Sequence, residues 1–261
     1  MVSSATLAPM IVPWQLPLLF GTGLAAGFVD AIAGGGGMIT LPVLLSLGLD
    51  PQHALGTNKL QATCGSGSAA WHYAQAKTVP PRDCVRGFAF SLAGAVLGTL
   101  AVQQLDPSFL KRAIPVLLLA VAIYTLLKPR LGDRDLHPRL ERGWFDMLFG
   151  LVIGFYDGFF GPGTGTFWTM AFVLGLGFNL TKATGYTKVV NFASNLGSLV
   201  FFLLAGSVYF GAGLAMGAGQ LVGARIGSRM VIARGTRFIR PIFISVVLVI
   251  TVKLIYEGYG R

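Results

Sequence analysis

GFVDAIAGGGG is the sequence of residues 27–37, and GFYDGFFGPGTG is the sequence of residues 154–165. In each stretch an apolar segment carries one aspartate, Asp30 or Asp157, and then breaks at a cluster of glycines. Asp157 stands 127 positions after Asp30. Matching interruptions of two apolar segments are typical of carriers built from two structural repeats, with the binding site at the repeat interface.

Composition places the chain in a lipid bilayer. Apolar residues make up 54% of it and charged residues 11%, against about 25% charged residues in ordinary soluble domains. Apolar runs of about 20 residues, the length that spans a bilayer, recur along the chain. We therefore predict an all-α, polytopic membrane protein. The net charge of +10 indicates basic residues at the cytoplasmic membrane edge rather than nucleic-acid binding. Neither the two cysteines nor any other pattern indicates a metal site or a cofactor.

Hydropathy, with Gly and Pro as breaks, predicts two homologous repeats of about five helical segments each. The segments of the first repeat, 10–127, are 10–33, 38–49, 55–75, 85–103 and 109–127. After a basic linker, 128–143, those of the second repeat, 144–256, are 144–160, 164–178, 183–204, 212–232 and 238–256. The second segment of each repeat is too short to cross about 30 Å of hydrocarbon. We expect a half-helix there, or a re-entrant pair with the preceding segment.

The two repeats also match at polar and small residues. Residues 56–59, GTNK, correspond to residues 185–188, GYTK, at an offset of 129. Glycines spaced four apart, Gly94 with Gly98 and Gly219 with Gly223, favour close helix packing.

Loop charges predict that the repeats are inverted. The loop 77–86 carries three basic residues and one acid, whereas its counterpart, 206–211, is uncharged. The next loop has the opposite bias: 103–108 holds only an acid, and 225–240 holds five arginines. Because basic loops stay in the cytoplasm, equivalent loops should lie on opposite sides of the membrane. The linker would then be cytoplasmic and both termini outside. Four full spans per repeat would instead make the repeats parallel.

The glycine clusters are candidate anion-binding sites. Helix starts present free N–H groups and a partial positive charge. The first site is formed by Gly34, Gly35, Gly36 and Gly37, and the second by Gly161, Gly163, Thr164 and Gly165. Asp30 and Asp157 have two open interpretations. Each could carry a coupling proton, or cap the half-helix that follows it.

The third segments supply a polar stripe that we expect to line a cavity, because polar groups in a buried helix need a polar environment. A lysine in each stripe could attract an anion. The stripe residues assigned to substrate binding are Asn58, Lys59, Gln61, Thr187, Lys188, Asn191 and Asn195.

At these residues the chain resembles the sulfite exporter TauE/SafE family, also called the TSUP transporters, and especially its YfcA-like branch. The resemblance rests on residues 27–37 with Leu41-Pro42, on residues 54–59 (ALGTNK) and on residues 154–165. It implies a carrier in the bacterial inner membrane for sulfur-containing anions such as sulfite, sulfoacetate or organosulfonates. It also implies export in some members, and a coupling ion.

The leading hypothesis is thus a secondary transporter, and probable exporter, of a small sulfur-containing anion by alternating access, with protons or sodium as the candidate coupling ion. An anion channel on the same scaffold, or a carrier of a small carboxylate, is the alternative. The sequence shows no Walker A, His-Glu-x-x-His or Gly-x-Ser-x-Gly pattern, so we do not expect an enzyme. The sequence leaves open whether the chain forms a homodimer.

Overall fold

The computed structural model describes residues 12–126 and 135–234, and within these ranges it contains nine α-helices and no β-strand. For this part of the chain the prediction of an all-α protein is confirmed. The part of the chain predicted as the first repeat contains α1 (Gln15–Ala33), α2 (Gly36–Ser46), α3 (Pro51–Gln75), α4 (Val85–Gln103) and α5 (Pro107–Leu126). The second contains α6 (Arg142–Phe159), α7 (Thr164–Leu176), α8 (Leu180–Leu204) and α9 (Phe210–Arg234). The predicted segment 238–256 lies outside the described residues.

Three stretches of the described chain are long and apolar enough to cross a membrane: α1, residues 82–103 with α4, and α8. The apolar helices α2 and α7 have only 11 and 13 residues. They therefore extend about 16 and 20 Å, short of the roughly 30 Å of a bilayer core. The predicted short second segment is present in each repeat.

The long helices α3 and α8 begin a few residues earlier than hydropathy predicts. The Asp50 side chain accepts hydrogen bonds from the N–H groups of Gln52 and His53, and Pro51 occupies the first turn. Asn179, at the equivalent position, accepts a hydrogen bond from the Lys182 N–H. Because these caps satisfy the free N–H groups of the first turn, both helices can start in polar sequence, before the apolar residues from which hydropathy predicts their starts.

The closest helix crossings are made by glycines. In the α1–α9 pair Gly23 lies against Met216 and Gly27 against Gln220, so the two helices run parallel. A Cβ on Gly27 would lie 2.6 Å from the Gln220 carbonyl oxygen, so only a glycine permits this approach. The equivalent parallel pair, α4 and α6, crosses in the same way through Gly94, Gly98, Gly154 and Gly158.

The short helix α2 turns the chain back. The helix α3 also runs parallel to α9, because Leu60 contacts Gly213 and Cys64 contacts Gly217. Since α1 and α3 therefore point the same way, α2 and the residues after it must return between them. Its start lies beside α1, where a Cβ on Gly36 would be 2.8 Å from the Asp30 Cβ. The chain thus reverses direction between α1 and α2, and α6 and α7 are arranged likewise, since α4 runs parallel to both α6 and α8.

Helices α3 and α8 pack against each other and run antiparallel. Gly56 of α3 contacts Phe202 of α8, and Gly67 contacts Phe192. As numbers rise along α3 they fall along α8. Most of the buried polar side chains of the described residues lie on these two helices, as the polar stripes predict; they are Thr57, Asn58, Lys59, Gln61, Ser66, Thr184, Thr187, Lys188, Asn191, Ser194, Asn195 and Ser198.

Candidate functional site

The two glycine clusters meet each other. The backbone at Gly34 packs directly on the backbone at Gly165, and a Cβ on Gly34 would lie 2.6 Å from the Thr166 nitrogen. Gly34, Gly161 and Gly163 have φ angles of 80°, 98° and 83°, a region that glycine adopts at no steric cost. The clusters therefore bring the starts of α2 and α7 together.

A small cavity lies at this meeting point. The space open to the centre of a water molecule is about 20 Å³, which is room for about one water. Except for Ala62 and Gln220, all of its lining residues are ones that the sequence predicts for the site. The lining consists of Asp30, Gly34, Gly36, Gly37, Asn58, Ala62, Asp157, Gly161, Gly163, Gly165, Asn191, Asn195 and Gln220.

Six predicted residues stand behind this lining: Gly35, Lys59, Gln61, Thr164, Thr187 and Lys188. Thr187 is hydrogen-bonded to Thr169 of α7, with 3.2 Å between the hydroxyl oxygens. The lysines, expected to face the cavity, are held by the aspartates instead.

Each lysine pairs with the aspartate of the other repeat. Lys59 Nζ donates to Asp157 Oδ1 at 2.7 Å and also to the Asp157 carbonyl oxygen. Lys188 Nζ donates to Asp30 Oδ2 at 3.1 Å and also to the Asp30 carbonyl oxygen. Both carbonyls belong to the last turn of a helix, where a cation is favoured. The two pairs therefore join the repeats and leave the site with no net charge.

The two aspartates differ in their surroundings. Asp157 is 2% exposed, and its carboxylate also accepts hydrogen bonds from the hydroxyl groups of Ser194 and Thr164. Asp30 is 15% exposed, and its other partner is the N–H of Gly36, at 3.3 Å. Asp30 thus makes the hydrogen bond that the capping interpretation requires at the start of α2. The Asp157 carboxylate instead accepts hydrogen bonds from side-chain hydroxyl groups.

Hydrogen-bond donors face the cavity without a protein partner. The backbone N–H groups of Gly37 and Gly165, at the starts of α2 and α7, form no hydrogen bond with any described residue. On α8, Asn195 Nδ2 donates to the Asn191 carbonyl oxygen at 2.8 Å, so both amides stay on the cavity side of that helix. Free N–H groups and amides of this kind suit an oxyanion.

A chain of amides, which the sequence did not predict as a unit, runs from α9 to α2. Gln220 Nε2 donates to Gln61 Oε1, and Gln61 Nε2 donates to Asn58 Oδ1 at 2.7 Å. Thr40 also donates to Asn58 Oδ1, at 2.6 Å. Because Asn58 Oδ1 is occupied, the amide nitrogen of Asn58 is left as a donor beside the cavity. Gln220 could have been noticed as the one large polar side chain within the glycine-spaced packing stretch 219–223.

A metal ion is not indicated by the described residues, since they contain no cluster of three or more His, Cys, Asp or Glu side chains placed to hold one. The lining is a set of amides, backbone N–H groups and two lysine-paired carboxylates. Such a set can bind and release a small polar solute by hydrogen bonds.

Comparisons with known proteins find membrane transporters. A model of the sulfite exporter TauE/SafE family matches residues 19–254. The chain is 42% identical over 252 residues to the probable membrane transporter protein YfcA of Escherichia coli K12, covering 97% of this chain and 94% of that protein. It is 45% identical over 242 residues to a probable membrane transporter protein of Haemophilus influenzae, covering 93% and 95%. No solved structure matches the chain significantly.

Proposed function

Because the chain belongs to the sulfite exporter TauE/SafE family of membrane transporters, as its glycine-rich sequences led us to expect, we propose that it is a secondary transporter that exports small sulfur-containing anions across the bacterial inner membrane. The observation that carries the proposal is the meeting of two half-helix starts at one polar cavity. Half-helices whose N-termini point at an anionic group are a recurring binding arrangement in secondary transporters.

The lining favours an anion over a cation despite its two carboxylates. Each carboxylate is neutralised by a buried lysine, so the donors decide the preference. Gly37, Gly165 and Asn58 offer N–H groups that no described protein atom uses. An oxyanion accepts several such bonds at once, and bonds to a charged acceptor are the stronger kind.

Alternating access is part of the proposal, and the size of the cavity supports it. The space open to the centre of a water molecule, about 20 Å³, holds about one water and does not enclose a sulfonate, so the proposal requires that the site widens when a substrate enters. The glycine crossings form two helix pairs, α1 with α9 and α4 with α6, and α3 and α8 connect these pairs. We propose that movement of these pairs opens the cavity first to one side of the membrane and then to the other.

An inverted arrangement of the repeats belongs to the same proposal. Helices α3 and α8 carry equivalent sequences and run antiparallel, as a two-fold axis in the membrane plane would require. The reversed charge of equivalent loops supports the same arrangement, and it puts the basic linker in the cytoplasm.

A binding screen tests the proposal. Purified protein is melted with sulfite, sulfate, thiosulfate, sulfoacetate or taurine, and with acetate as the carboxylate control. A ligand of the native state at 100 times its Kd stabilises by about 2.7 kcal/mol, so a sulfur-containing anion should raise the melting temperature more than acetate. Asn191→Ala should weaken the binding of that anion about tenfold, because one desolvated hydrogen bond is lost. Gln75→Ala, an exposed change on α3, should not. If no anion stabilises the protein, or if acetate alone does, the proposed substrate class is wrong.

A further inference from the structure

The two lysine–aspartate pairs are equivalent by sequence but not in their environments. The residue of repeat one that corresponds to Thr164, 127 positions earlier, is Gly37. The residue that corresponds to Ser194, 129 positions earlier, is Gly65. Both hydroxyl groups that contact the Asp157 carboxylate are therefore missing around Asp30.

From this difference we propose that Asp30, released from Lys188, takes up and gives back the coupling proton, whereas Asp157 and Lys59 form a permanent structural pair. The proposal rests on the proposed function in one respect, that anion transport is coupled to protons. It gives two aspartates that are equivalent by sequence different parts in transport.

The contacts of Asp157 oppose protonation. Lys59 donates to Oδ1 at 2.7 Å, the Ser194 hydroxyl donates to Oδ2, and the Thr164 hydroxyl, shared with the Gly161 carbonyl, lies 3.2 Å from Oδ1. Hydrogen bonds to the charged form of a carboxyl stabilise that form. The pair is also 1% and 2% exposed, so water reaches it poorly.

The contacts of Asp30 are fewer and longer. Lys188 donates to Oδ2 at 3.1 Å and the Gly36 N–H donates to Oδ1 at 3.3 Å. The side chain is 15% exposed and lines the cavity. The space beside Gly65 is filled by Gln220 Oε1, which cannot donate a hydrogen bond. Asp30 therefore has both weaker stabilisation of its charge and a path to water.

Few other charged groups face Asp30. Lys188 approaches from α8, and Asp157 of α6 lies across the same cavity. Tyr73 of α3 donates to the Ala31 carbonyl oxygen, one residue along, at 3.3 Å. The described helices α2 and α7 contain no titratable side chain, and Arg225 of α9 is exposed.

Protonation of Asp30 would prepare the site for an anion. The proton comes from cavity water and binds a carboxylate oxygen, so Lys188 stays charged but loses its charged partner. The site then carries one net positive charge beside the free N–H groups of Gly37 and Gly165. An anion restores neutrality, and its departure lets Lys188 return to Asp30 and release the proton. Because the proton and the anion cross together, export is driven by the anion's own concentration gradient rather than by the proton gradient.

Labelling by dicyclohexylcarbodiimide tests the assignment, because this apolar reagent adds to protonated carboxyl groups. Wild-type protein in detergent is treated from mildly alkaline to mildly acidic pH, and the adducts are located by peptide mass spectrometry. Asp30 should be labelled increasingly as the pH falls, and at least about tenfold more than Asp157, because the lysine and hydroxyl bonds of Asp157 stabilise its charged form. In the double variant Thr164→Val, Ser194→Ala, which removes both hydroxyl groups, Asp157 should become labelled as well.

A second measurement does not depend on access of the reagent. The infrared carbonyl band of a protonated, buried carboxylic acid should grow on acidification, disappear in Asp30→Asn and persist in Asp157→Asn. Equal labelling of both aspartates, or a band lost only in Asp157→Asn, would overturn the assignment. Neither measurement uses an anion. Anion stabilisation without a titrating Asp30 would refute the pair assignment alone, and a titrating Asp30 without anion binding would refute the proposed substrate alone.

Discussion

Removal of one partner of the Lys59–Asp157 pair should destabilise the protein strongly. The two side chains are 1% and 2% exposed, so Lys59→Met would leave a buried carboxylate without its cation. Breaking a buried pair in this way costs about 3–5 kcal/mol. For chains of roughly this size 1 kcal/mol shifts the melting temperature by about 2–4 °C, so we expect a fall of about 6–20 °C.

The double variant Lys59→Met, Asp157→Asn separates the charge from the packing. No unpaired charge remains in it, and the amide introduced at position 157 can still bond to Ser194, so it should melt above either single variant. Residues in contact are expected to show such non-additive effects. Lys182→Met is the control, because its pair with Asp135 is 3.9 Å apart with side chains 36% and 53% exposed, and surface pairs contribute about 0–1 kcal/mol.

Thermal unfolding can be followed with a thiol-reactive dye, since Cys84 is only 2% exposed in the folded protein. The reasoning fails if Lys59→Met melts as close to the wild type as Lys182→Met does. It fails equally if the losses of the two single variants simply add in the double variant.

Two further predictions concern the glycine contact and the topology. Gly34→Ala should lower the melting temperature far more than Gly48→Ala. Both positions have a positive φ, 80° and 84°, but a Cβ on Gly34 would meet the Gly165 backbone, whereas one on Gly48 would meet nothing within 4 Å. Equal melting temperatures of the two variants would contradict the backbone contact. The second prediction uses two exposed positions at equivalent helix ends, Ala76 and Ala205, which are 129 positions apart. In a background without the native cysteines, Ala76→Cys and Ala205→Cys should react with an impermeant maleimide from opposite faces of the membrane. Labelling of both from one face would refute inversion of the repeats.

The sequence predicts the helices and much of the cavity lining because both follow from local rules. The length of each apolar segment, compared with the thickness of the bilayer, predicts that the second segments are too short to span it. The spacing of four residues places Asn191 and Asn195 on one face of a helix. The starts of α3 and α8 are missed by hydropathy, since Asp50 and Asn179 act through caps in polar sequence.

Contacts between the repeats are beyond such rules. Lys59 and Asp157 are 98 positions apart and Lys188 and Asp30 are 158 apart, so only the crossing of helices reveals that each lysine is bound. Gln220 is missed for a different reason. We looked for polar residues that occur at equivalent positions in both repeats, and the counterpart of Gln220 in the first repeat is the apolar Ala95.

The balance of two lysines against two aspartates around the cavity has an electrical consequence. An empty site of zero net charge can change its orientation without work against the membrane potential. A monovalent anion bound alone would add one negative charge, and moving it through the whole field involves about 2.3 kcal/mol per 100 mV. A potential that is negative inside would drive that anion outward. With a proton on Asp30, the same anion would cross as a neutral unit that voltage does not affect, so the dependence of flux on voltage counts the protons carried with each anion.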